Sequence, residues 1–422
     1  MAMGVTMIER PIYLEKLIQR ENNGLVKVIT GIRRSGKSFL LFKIYKNYLL
    51  HKGVRENHII SVVLDDIKNK DLRNADNLYA YITGLIKDHE QYYVFLDEIQ
   101  FVNDFSDLIN GLNYIENVDL YVTGSNSRFL SSDILTEFRG RGDEIRVYPL
   151  SFAEYTSAYD GSIYQAWKDY YTYGGLPFVL LCATDELKED YLSSLIEKVY
   201  LKDIVERNRV RYKRELENIL DILSSSIGSF TNPVKLSNTF GSVGQSAITD
   251  KTVKKYLEYL MDSFLVEKVE RYDIKGKKYI EALSKYYFVD VGLRNARLEY
   301  RQQEENHIME NIIFNELRIR GYRVHVGVVE IREKNKEGKS VLKRLEVDFI
   351  ATKGNQKYYI QSAFDMPTQE KQNQELRPLL KINDSFKKII VVKDDIKMKR
   401  DEHGIVTMSI YDFLLKSDSL EA

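Results

Sequence analysis

The stretch that most restricts what this chain can form is residues 31–38, which read Gly-Ile-Arg-Arg-Ser-Gly-Lys-Ser. This octapeptide has the form GxxxxGKS, known as Walker A. It lies between the β-branched run at 26–30 and the apolar run at 39–42. A phosphate-binding loop requires a strand before it and a helix after it, and both patterns are present. The sequence therefore predicts a nucleotide site on a strand, loop and helix.

Each fixed residue of the loop has a chemical reason. Gly31 and Gly36 let backbone N–H groups and the helix N-terminus approach the β- and γ-phosphates. Lys37 adds a positive charge, and the hydroxyl of Ser38 is suited to bind Mg²⁺. The alternative is that such an octapeptide arises by chance in a turn. The predicted nucleotide-binding set is completed by Arg34, Ser35 and Phe39.

Further apolar runs at 59–66, 92–98, 120–125 and 144–148 read as buried strands, and helical patterns separate them. This alternation predicts an α/β fold in which a parallel sheet is covered by helices on both faces. In such a fold the ligand lies at the carboxyl ends of the strands.

Asp97 and Glu98 end one of these strands, an arrangement known as Walker B. The first carboxylate is suited to hold Mg²⁺, and the second to orient and activate the attacking water. An acidic pair in a solvated turn is the alternative, but it does not explain the occurrence of both motifs in one chain. We therefore expect ATP and Mg²⁺ as cofactors.

Composition limits the remaining possibilities. In 422 residues, 62 Lys and Arg balance 62 Asp and Glu, so any nucleic-acid contact must be local. The single cysteine, Cys182, lies in an apolar run and reads as a buried small side chain. No run has the 18 or so apolar residues of a membrane helix, and we expect a cytoplasmic protein. The sequence does not decide whether Met1 or Met7 is the native start.

The order of several motifs resembles the archaeal-type AAA+ ATPases, which are related to the STAND signalling ATPases. The motifs are GxRRxGKS, FLDEIQ at 95–100, TGSNS at 123–127, RGR at 139–141 and PLSFAEY at 149–155. The resemblance runs the full chain. It implies an AAA+ core at 1–150, a helical lid at 151–211, a winged helix at 212–300 and a restriction-endonuclease-like α/β domain at 301–422.

The resemblance also assigns further site residues. It implies that Ser125 or Asn126 occupies the sensor 1 position, which reads the γ-phosphate. It places Arg139 and Arg141 where AAA+ proteins carry an arginine finger; the alternative for either is an arginine in a solvated Gly-rich turn. Residues 173–177, YGGLP, resemble the GxP element of the STAND lid, although Gly and Pro are also ordinary loop residues.

Asn232 and Pro233 have the chemistry of a helix start, opening a short helix before a turn at 241–244. A second helix over 249–260 places apolar residues on one face and lysines largely off it, as in a recognition helix. The exposed cations expected to contact duplex DNA are Lys251, Lys254, Lys255 and, on a wing, Lys275, Lys277 and Lys278. The alternative is a winged helix that serves only as a packing module.

The last segment resembles the PD-(D/E)XK nuclease fold, with a helix at 307–317 and Glu346-Val347-Asp348-Phe349 in a strand. An active member needs a Glu-x-Lys triplet on the next strand, but this chain has Gln361-Ser362-Ala363. Glu316 and Asp348 alone would hold Mg²⁺ weakly, and Lys371 would have to replace the missing lysine. We expect no nuclease activity.

The sequence thus predicts an AAA+ ATPase whose nucleotide state controls a winged-helix and nuclease-like module on DNA. The alternative is a nucleotide-dependent switch that holds a protein partner or its own oligomer and does not bind DNA.

Overall fold

The computed structural model describes residues 8–125, 140–242, 248–334, 338–366 and 368–421. The chain divides into two compact units. The first unit contains residues 1–150, 176–178 and 262–264, and the second contains 151–175, 179–261 and 265–422. None of the helices in these described ranges is long and apolar enough to cross a membrane.

The first unit is built on a parallel sheet of five strands within the described ranges, in the order β2-β3-β4-β1-β5. The predicted α/β core is confirmed. β4 and β5 each begin and end two residues earlier than the apolar runs indicate, because those runs continue into the buried loops that follow. The strands are β1 (Val26–Thr30), β2 (Ile59–Val63), β3 (Tyr92–Asp97), β4 (Val118–Thr123) and β5 (Gly142–Arg146).

Helices cover both faces of this sheet, as predicted. Alternate residues of β3 enter two separate cores: Val94 and Leu96 lie in one, and Tyr93 and Phe95 in the other. The helices are α1 (Pro11–Ile18), α2 (Lys37–Phe39 and Lys46–His51, joined by the π-helical segment Leu40–Tyr45), α3 (Ala75–Leu85) and α4 (Phe105–Asn113). Short 3₁₀ turns occupy Glu56–His58, Ile67–Arg73, Ile99–Phe101 and Pro177–Leu181.

The second unit contains a mixed sheet of eight strands in the order β12-β13-β11-β10-β9-β8-β6-β7. Its strands are β6 (Val266–Asp273), β7 (Lys278–Phe288), β8 (Arg323–Lys334), β9 (Ser340–Lys353), β10 (Gln356–Ala363), β11 (Lys387–Val392), β12 (Lys399–Arg400) and β13 (Val406–Ser409). Its helices are α5 (Phe152–Ser157), α6 (Ile163–Tyr173), α7 (Asp185–Ser194 and Lys202–Asn208, joined by the π-helical segment Leu195–Leu201), α8 (Lys213–Ser225), α9 (Pro233–Ser242), α10 (Asp250–Asp262), α11 (Val291–Arg297), α12 (Glu305–Ile319), α13 (Gln369–Leu380) and α14 (Ile410–Leu415).

The predicted wing belongs to this sheet. β6 and β7 form an antiparallel hairpin, and Arg271 on β6 lies opposite Val326 in a parallel pairing with β8. The sheet therefore continues across residue 300, where the sequence places a domain boundary. The four domain limits remain predictions.

The two predicted helices before the wing are present. Asn232 Oδ1 accepts a hydrogen bond of 2.7 Å from the Lys235 amide, which is an N-cap. The helix that it opens continues through Ser242, past the glycine at which a turn was predicted. Helix α10 buries Val253, Tyr256, Leu257, Tyr259 and Leu260, so the predicted apolar face is confirmed. Elsewhere in this unit, Cys182 is partly rather than fully buried.

Candidate nucleotide-binding site

The loop after β1 contains two glycines that the backbone geometry requires. At Gly31, a Cβ atom would lie only 2.0 Å from the carbonyl oxygen of Val147, so this position has no room for a side chain. Gly36 has a φ of 92°, a left-handed conformation that glycine adopts without strain. The loop therefore packs closely against the chain that follows β5, and it turns sharply into helix α2.

Lys37 opens that helix with its side chain buried. Its ammonium donates hydrogen bonds of 2.9 and 3.0 Å to the main-chain carbonyls of Gly31 and Ile32. Burial lowers the pKa of Lys37 to about 8; the carboxylates of Glu98 and Asp97 oppose this shift, and the positive charge of Arg33 adds to it. A buried ammonium whose hydrogen bonds go to neutral carbonyls is suited to receive an anion, and phosphate fits this requirement.

The rest of the loop also suits an anionic ligand. The Ser35 hydroxyl oxygen is buried and has no hydrogen-bond partner in the described part of the chain. Arg34 is exposed and has a φ of 65°, which costs a non-glycine residue about 1–2 kcal/mol. Phe39, in the first turn of α2, is 45% exposed. A strained residue and an unsatisfied polar atom in the same loop are typical of a functional site.

Ser38 and the end of β3 are joined directly. The Ser38 hydroxyl donates a hydrogen bond of 2.9 Å to Asp97 Oδ1, and Thr123 at the end of β4 donates another of 2.5 Å to the same atom. Burial raises the pKa of Asp97 despite these bonds, and Glu98 and Asp65 contribute to the rise. A buried carboxylate next to a hydroxyl fits the oxygen ligands that Mg²⁺ prefers.

Glu98 follows β3 in a left-handed conformation with a φ of 53°. Its amide donates a hydrogen bond of 2.9 Å to Thr123 Oγ1. Its carboxylate oxygen Oε2 accepts hydrogen bonds from the Gln100 amide and, at 3.3 Å, from the Ser125 hydroxyl. The structure therefore fixes both the backbone and the carboxylate of Glu98 beside the loop.

Four further residues of this site lie outside the predicted set, although Arg33, Gln100 and Thr123 belong to motifs quoted above. Thr123 donates to Asp97, Gln100 donates to Glu98, and Arg33 Nε donates to Ser125 Oγ at 3.4 Å. Arg10, which is 4% exposed, donates to the carbonyls of Ser35 at 3.0 Å and of Tyr148 at 2.8 Å. Arg10 thus ties the phosphate-binding loop to the chain after β5.

Arg141, the other described residue of the predicted set, does not join this cluster. Arg141 immediately precedes β5, its carbonyl accepts from the Val26 amide at the start of β1, and its guanidinium lies 4.8 Å from the Tyr114 ring centre. That is the amino edge of the sheet, opposite the loop, so Arg141 does not reach the loop of its own chain. Asn126 and Arg139 lie outside the described residues.

The nuclease-like segment places its polar residues differently from the expectation. Glu316 does not line the cavity beside Asp348, because its carboxylate pairs with Arg320 at 2.7 Å. Glu310, one and a half turns earlier on α12, lines that cavity of about 640 Å³ instead. Gln361 and Lys371 also line it, and each binds Glu375, at 3.0 and 2.5 Å.

The carboxylates of this cavity are occupied by protein partners. Glu310 accepts from Lys285 at 2.7 Å, and Asp348 accepts from the Ser362 amide at 2.8 Å. Among the described residues, no group of three or more His, Cys, Asp or Glu side chains is placed to hold a metal ion. The lack of nuclease activity remains a prediction.

Comparison with known proteins agrees with the first unit's architecture. Residues 23–156 match the family model of an AAA domain, and residues 164–304 match a domain of unknown function, DUF8612. An uncharacterized protein of Haemophilus influenzae is 34% identical over 422 residues, which cover 98% of this chain and 100% of that protein. The uncharacterized protein MJ1544 of Methanocaldococcus jannaschii is 25% identical over 83% of this chain and 77% of its own length.

Among solved structures, one match is the Orc1 protein of Aeropyrum pernix in complex with DNA, with 13% sequence identity and a TM-score of 0.28. The alignment covers 70% of this chain and 93% of the Orc1 chain. A second match is Cdc6p of Pyrobaculum aerophilum, with 12% sequence identity and a TM-score of 0.29. That alignment covers 73% of this chain and 94% of the Cdc6p chain. TM-scores this low do not establish a shared overall fold. The full-length match shows the family instead: the chain belongs to the family of the Haemophilus protein, and its own residues 23–156 match an AAA domain.

Proposed function

We propose that this chain binds ATP with Mg²⁺ and hydrolyses the bond between its β- and γ-phosphates. One observation carries the proposal. Ser38 in the phosphate-binding loop and Asp97 at the end of β3 share a hydrogen bond of 2.9 Å, next to the buried ammonium of Lys37. This contact supports the proposal because groups suited to bind phosphate, Mg²⁺ and water lie together at one edge of the parallel sheet, where α/β folds bind nucleotides.

Each residue has a separate task in this proposal. Lys37 and the loop amides hold the phosphates, and Ser38 and Asp97 hold Mg²⁺. When bound, the metal supplies positive charge to the phosphate oxygens. Glu98 takes the proton of the attacking water, and the hydrogen bonds from Gln100 and Ser125 orient its carboxylate for that step.

Phosphate release from ATP tests the proposal. We expect hydrolysis that requires Mg²⁺ and is lost in Lys37→Met, because the variant lacks the buried ammonium that holds the phosphates. Lys43→Met is the matched control: Lys43 is an exposed lysine in the same helix, and we expect its replacement to keep the wild-type rate. A wild-type protein that does not hydrolyse ATP in the presence of Mg²⁺ contradicts the proposal.

We further propose that the nucleotide state is coupled to DNA binding by the second unit. This proposal is supported by two groups of exposed lysines: Lys251, Lys254 and Lys255 on α10, and Lys275, Lys277 and Lys278 at the tip of the β6–β7 hairpin. Such side chains contact phosphates without reading sequence. The competing proposal is a protein-interaction or oligomerisation switch that does not bind DNA, and the balanced charge of the whole chain favours it.

ATPase rates with and without duplex DNA, measured across a salt series, separate the two proposals. DNA coupling predicts that DNA stimulates the ATPase rate and that this stimulation falls as the salt concentration rises. When Lys251, Lys254 and Lys255 are replaced by Gln, the slope of the logarithm of the DNA-binding constant against the logarithm of the salt concentration should become shallower by about one per lysine removed. The control replaces the exposed Lys381, Lys397 and Lys399, which changes the net charge equally. If DNA neither binds nor stimulates, the switch proposal stands and DNA coupling is excluded.

A further inference from the structure

We infer that Arg33, the third residue of the phosphate-binding loop, is a catalytic residue that contacts the γ-phosphate of the nucleotide bound by its own chain. The inference rests on the proposed ATPase function. It adds the residue whose positive charge stabilises the γ-phosphate during hydrolysis. AAA+ proteins are expected to take this charge from an arginine after β4, whereas here the loop itself supplies a guanidinium.

The first observation is a chain of contacts. Arg33 Nε lies 3.4 Å from Ser125 Oγ, and the same oxygen lies 3.3 Å from Glu98 Oε2. Arg33 belongs to the loop, Ser125 follows β4 and Glu98 follows β3. The guanidinium is therefore on the side of the loop that faces the water-activating carboxylate, which is where the reacting end of a phosphate chain must lie.

The second observation is electrostatic. Arg33 and Lys37 are two cations of the same eight-residue loop. Two cations that repel each other across a loop are both stabilised when an anion lies between them. A guanidinium also offers a planar fork of N–H donors that fits two phosphate oxygens at once, whereas an ammonium is a point charge.

Three other arginines, Arg10, Arg34 and Arg141, have different environments. Arg10 is buried and holds the carbonyls of Ser35 and Tyr148. Arg34 is exposed in its left-handed conformation, and Arg141 lies at the opposite edge of the sheet. Arg33 is distinguished from these three by its contact with the Ser125 and Glu98 network.

The step that Arg33 assists is simple to balance. The oxygen of water forms a bond to the γ-phosphorus, and its proton passes to Glu98. The bond between the γ-phosphorus and the bridging oxygen breaks, and its electron pair stays on the oxygen of ADP. In the transition state, negative charge is spread over the oxygens of the transferred phosphoryl group and the leaving oxygen. A guanidinium beside these oxygens stabilises that charge distribution.

The test compares Arg33→Met and Arg33→Lys with wild type and with Lys43→Met. We expect kcat to fall about 10²- to 10³-fold in Arg33→Met, with the Kd for a fluorescent ATP analogue within about threefold of wild type, because the contact forms mainly in the transition state. Arg33→Lys should recover only part of the rate, because it restores charge but not the fork. Unchanged melting temperatures and analogue binding show that the variants are folded.

A mixing experiment distinguishes the chain's own arginine from a neighbour's. Arg33→Met keeps an intact Lys37, and Lys37→Met keeps an intact Arg33. If Arg33 acted on the site of a neighbouring copy, an equimolar mixture would recover activity; we expect the mixture to show only the sum of the two separate rates.

A kcat loss smaller than tenfold in Arg33→Met, or a mixture more than tenfold above that sum, overturns the inference. In either case, the proposed function still stands if the wild-type protein hydrolyses ATP and Lys37→Met does not. A wild-type protein without ATPase activity overturns both.

Discussion

The amide of Glu98 donates a hydrogen bond of 2.9 Å to the hydroxyl of Thr123, and this contact accompanies a left-handed backbone at Glu98. A non-glycine residue in that region costs about 1–2 kcal/mol, which the surrounding contacts must offset. Thr123 also binds Asp97, so one hydroxyl fixes both members of the acidic pair. Their positions differ, since Asp97 faces Ser38 and Glu98 faces Ser125, and this difference supports the separate tasks proposed for them.

The assignment of Glu98 as general base predicts that Glu98→Gln lowers the ATP turnover rate about 10²- to 10⁴-fold. The amide is nearly the same size as the carboxylate but cannot accept the proton of water. ATP binding should persist, because Lys37 and Ser38 are unchanged, and a fluorescent ATP analogue measures it. Turnover within a factor of three of wild type would show that another group accepts the proton.

The buried ammonium of Lys37 predicts proton uptake when ATP binds. Its pKa is lowered to about 8 in the free protein, so the side chain is mostly neutral at pH 9 and mostly charged at pH 7. Phosphate beside it favours the charged form and raises the pKa again. Binding at pH 9 should therefore take up close to one proton, and binding at pH 7 much less.

Titration calorimetry in buffers of different ionisation enthalpy counts these protons. The matched control is Lys37→Arg, whose guanidinium stays charged throughout this range and should remove the difference between pH 7 and pH 9. Equal proton uptake by both proteins at pH 9 would place the titrating group elsewhere.

Much of this site could be predicted from the sequence because its parts are local. The loop, Asp97 and Glu98 each follow an apolar run, and parallel strands bring such ends together. Arg10 could not be found this way, because it acts on Tyr148, 138 residues later, and no local pattern marks that contact. Glu316, which was expected to act with Asp348, does not line the cavity, whereas Glu310 does. Most of α12 is buried from Ile308 to Ile319, so hydrophobic periodicity does not reveal which face meets the cavity.

The left-handed backbone at Arg34 predicts an unusual order of stability. Both Arg34→Gly and Arg34→Ala remove the charge, but only alanine retains a Cβ at a φ of 65°. The free energy of unfolding should therefore be about 1–2 kcal/mol higher for the glycine variant, the reverse of the order in an ordinary helix. Urea denaturation compares the two variants directly. A more stable alanine variant would mean that the loop adopts a different backbone in solution.

A buried ion pair in the second unit predicts a large loss of stability when one partner is removed. Glu310 and Lys285 are 2.7 Å apart and almost fully buried, and Glu346 also binds Lys285, at 2.6 Å. Burial alone would raise the pKa of Glu310, but the ammonium of Lys285 and the hydrogen bonds around the carboxylate bring it to about 2. The ionised form is thus favoured in the folded protein. Its contribution is complete above pH 4.5, the ordinary pKa, and is lost as the pH falls towards 2.

Glu310→Gln should therefore lower the free energy of unfolding by about 3–5 kcal/mol at pH 7, because it leaves the Lys285 ammonium poorly compensated. The single tryptophan, Trp167, is buried in α6 of the same unit and reports its urea denaturation. The control replaces the pair together, as Lys285→Met with Glu310→Leu, and should recover at least half of the loss, since no buried charge is then left without its partner. A loss below about 1 kcal/mol in Glu310→Gln would mean that water or Glu346 already compensates Lys285. In that case the pair would not be a main source of stability for this unit.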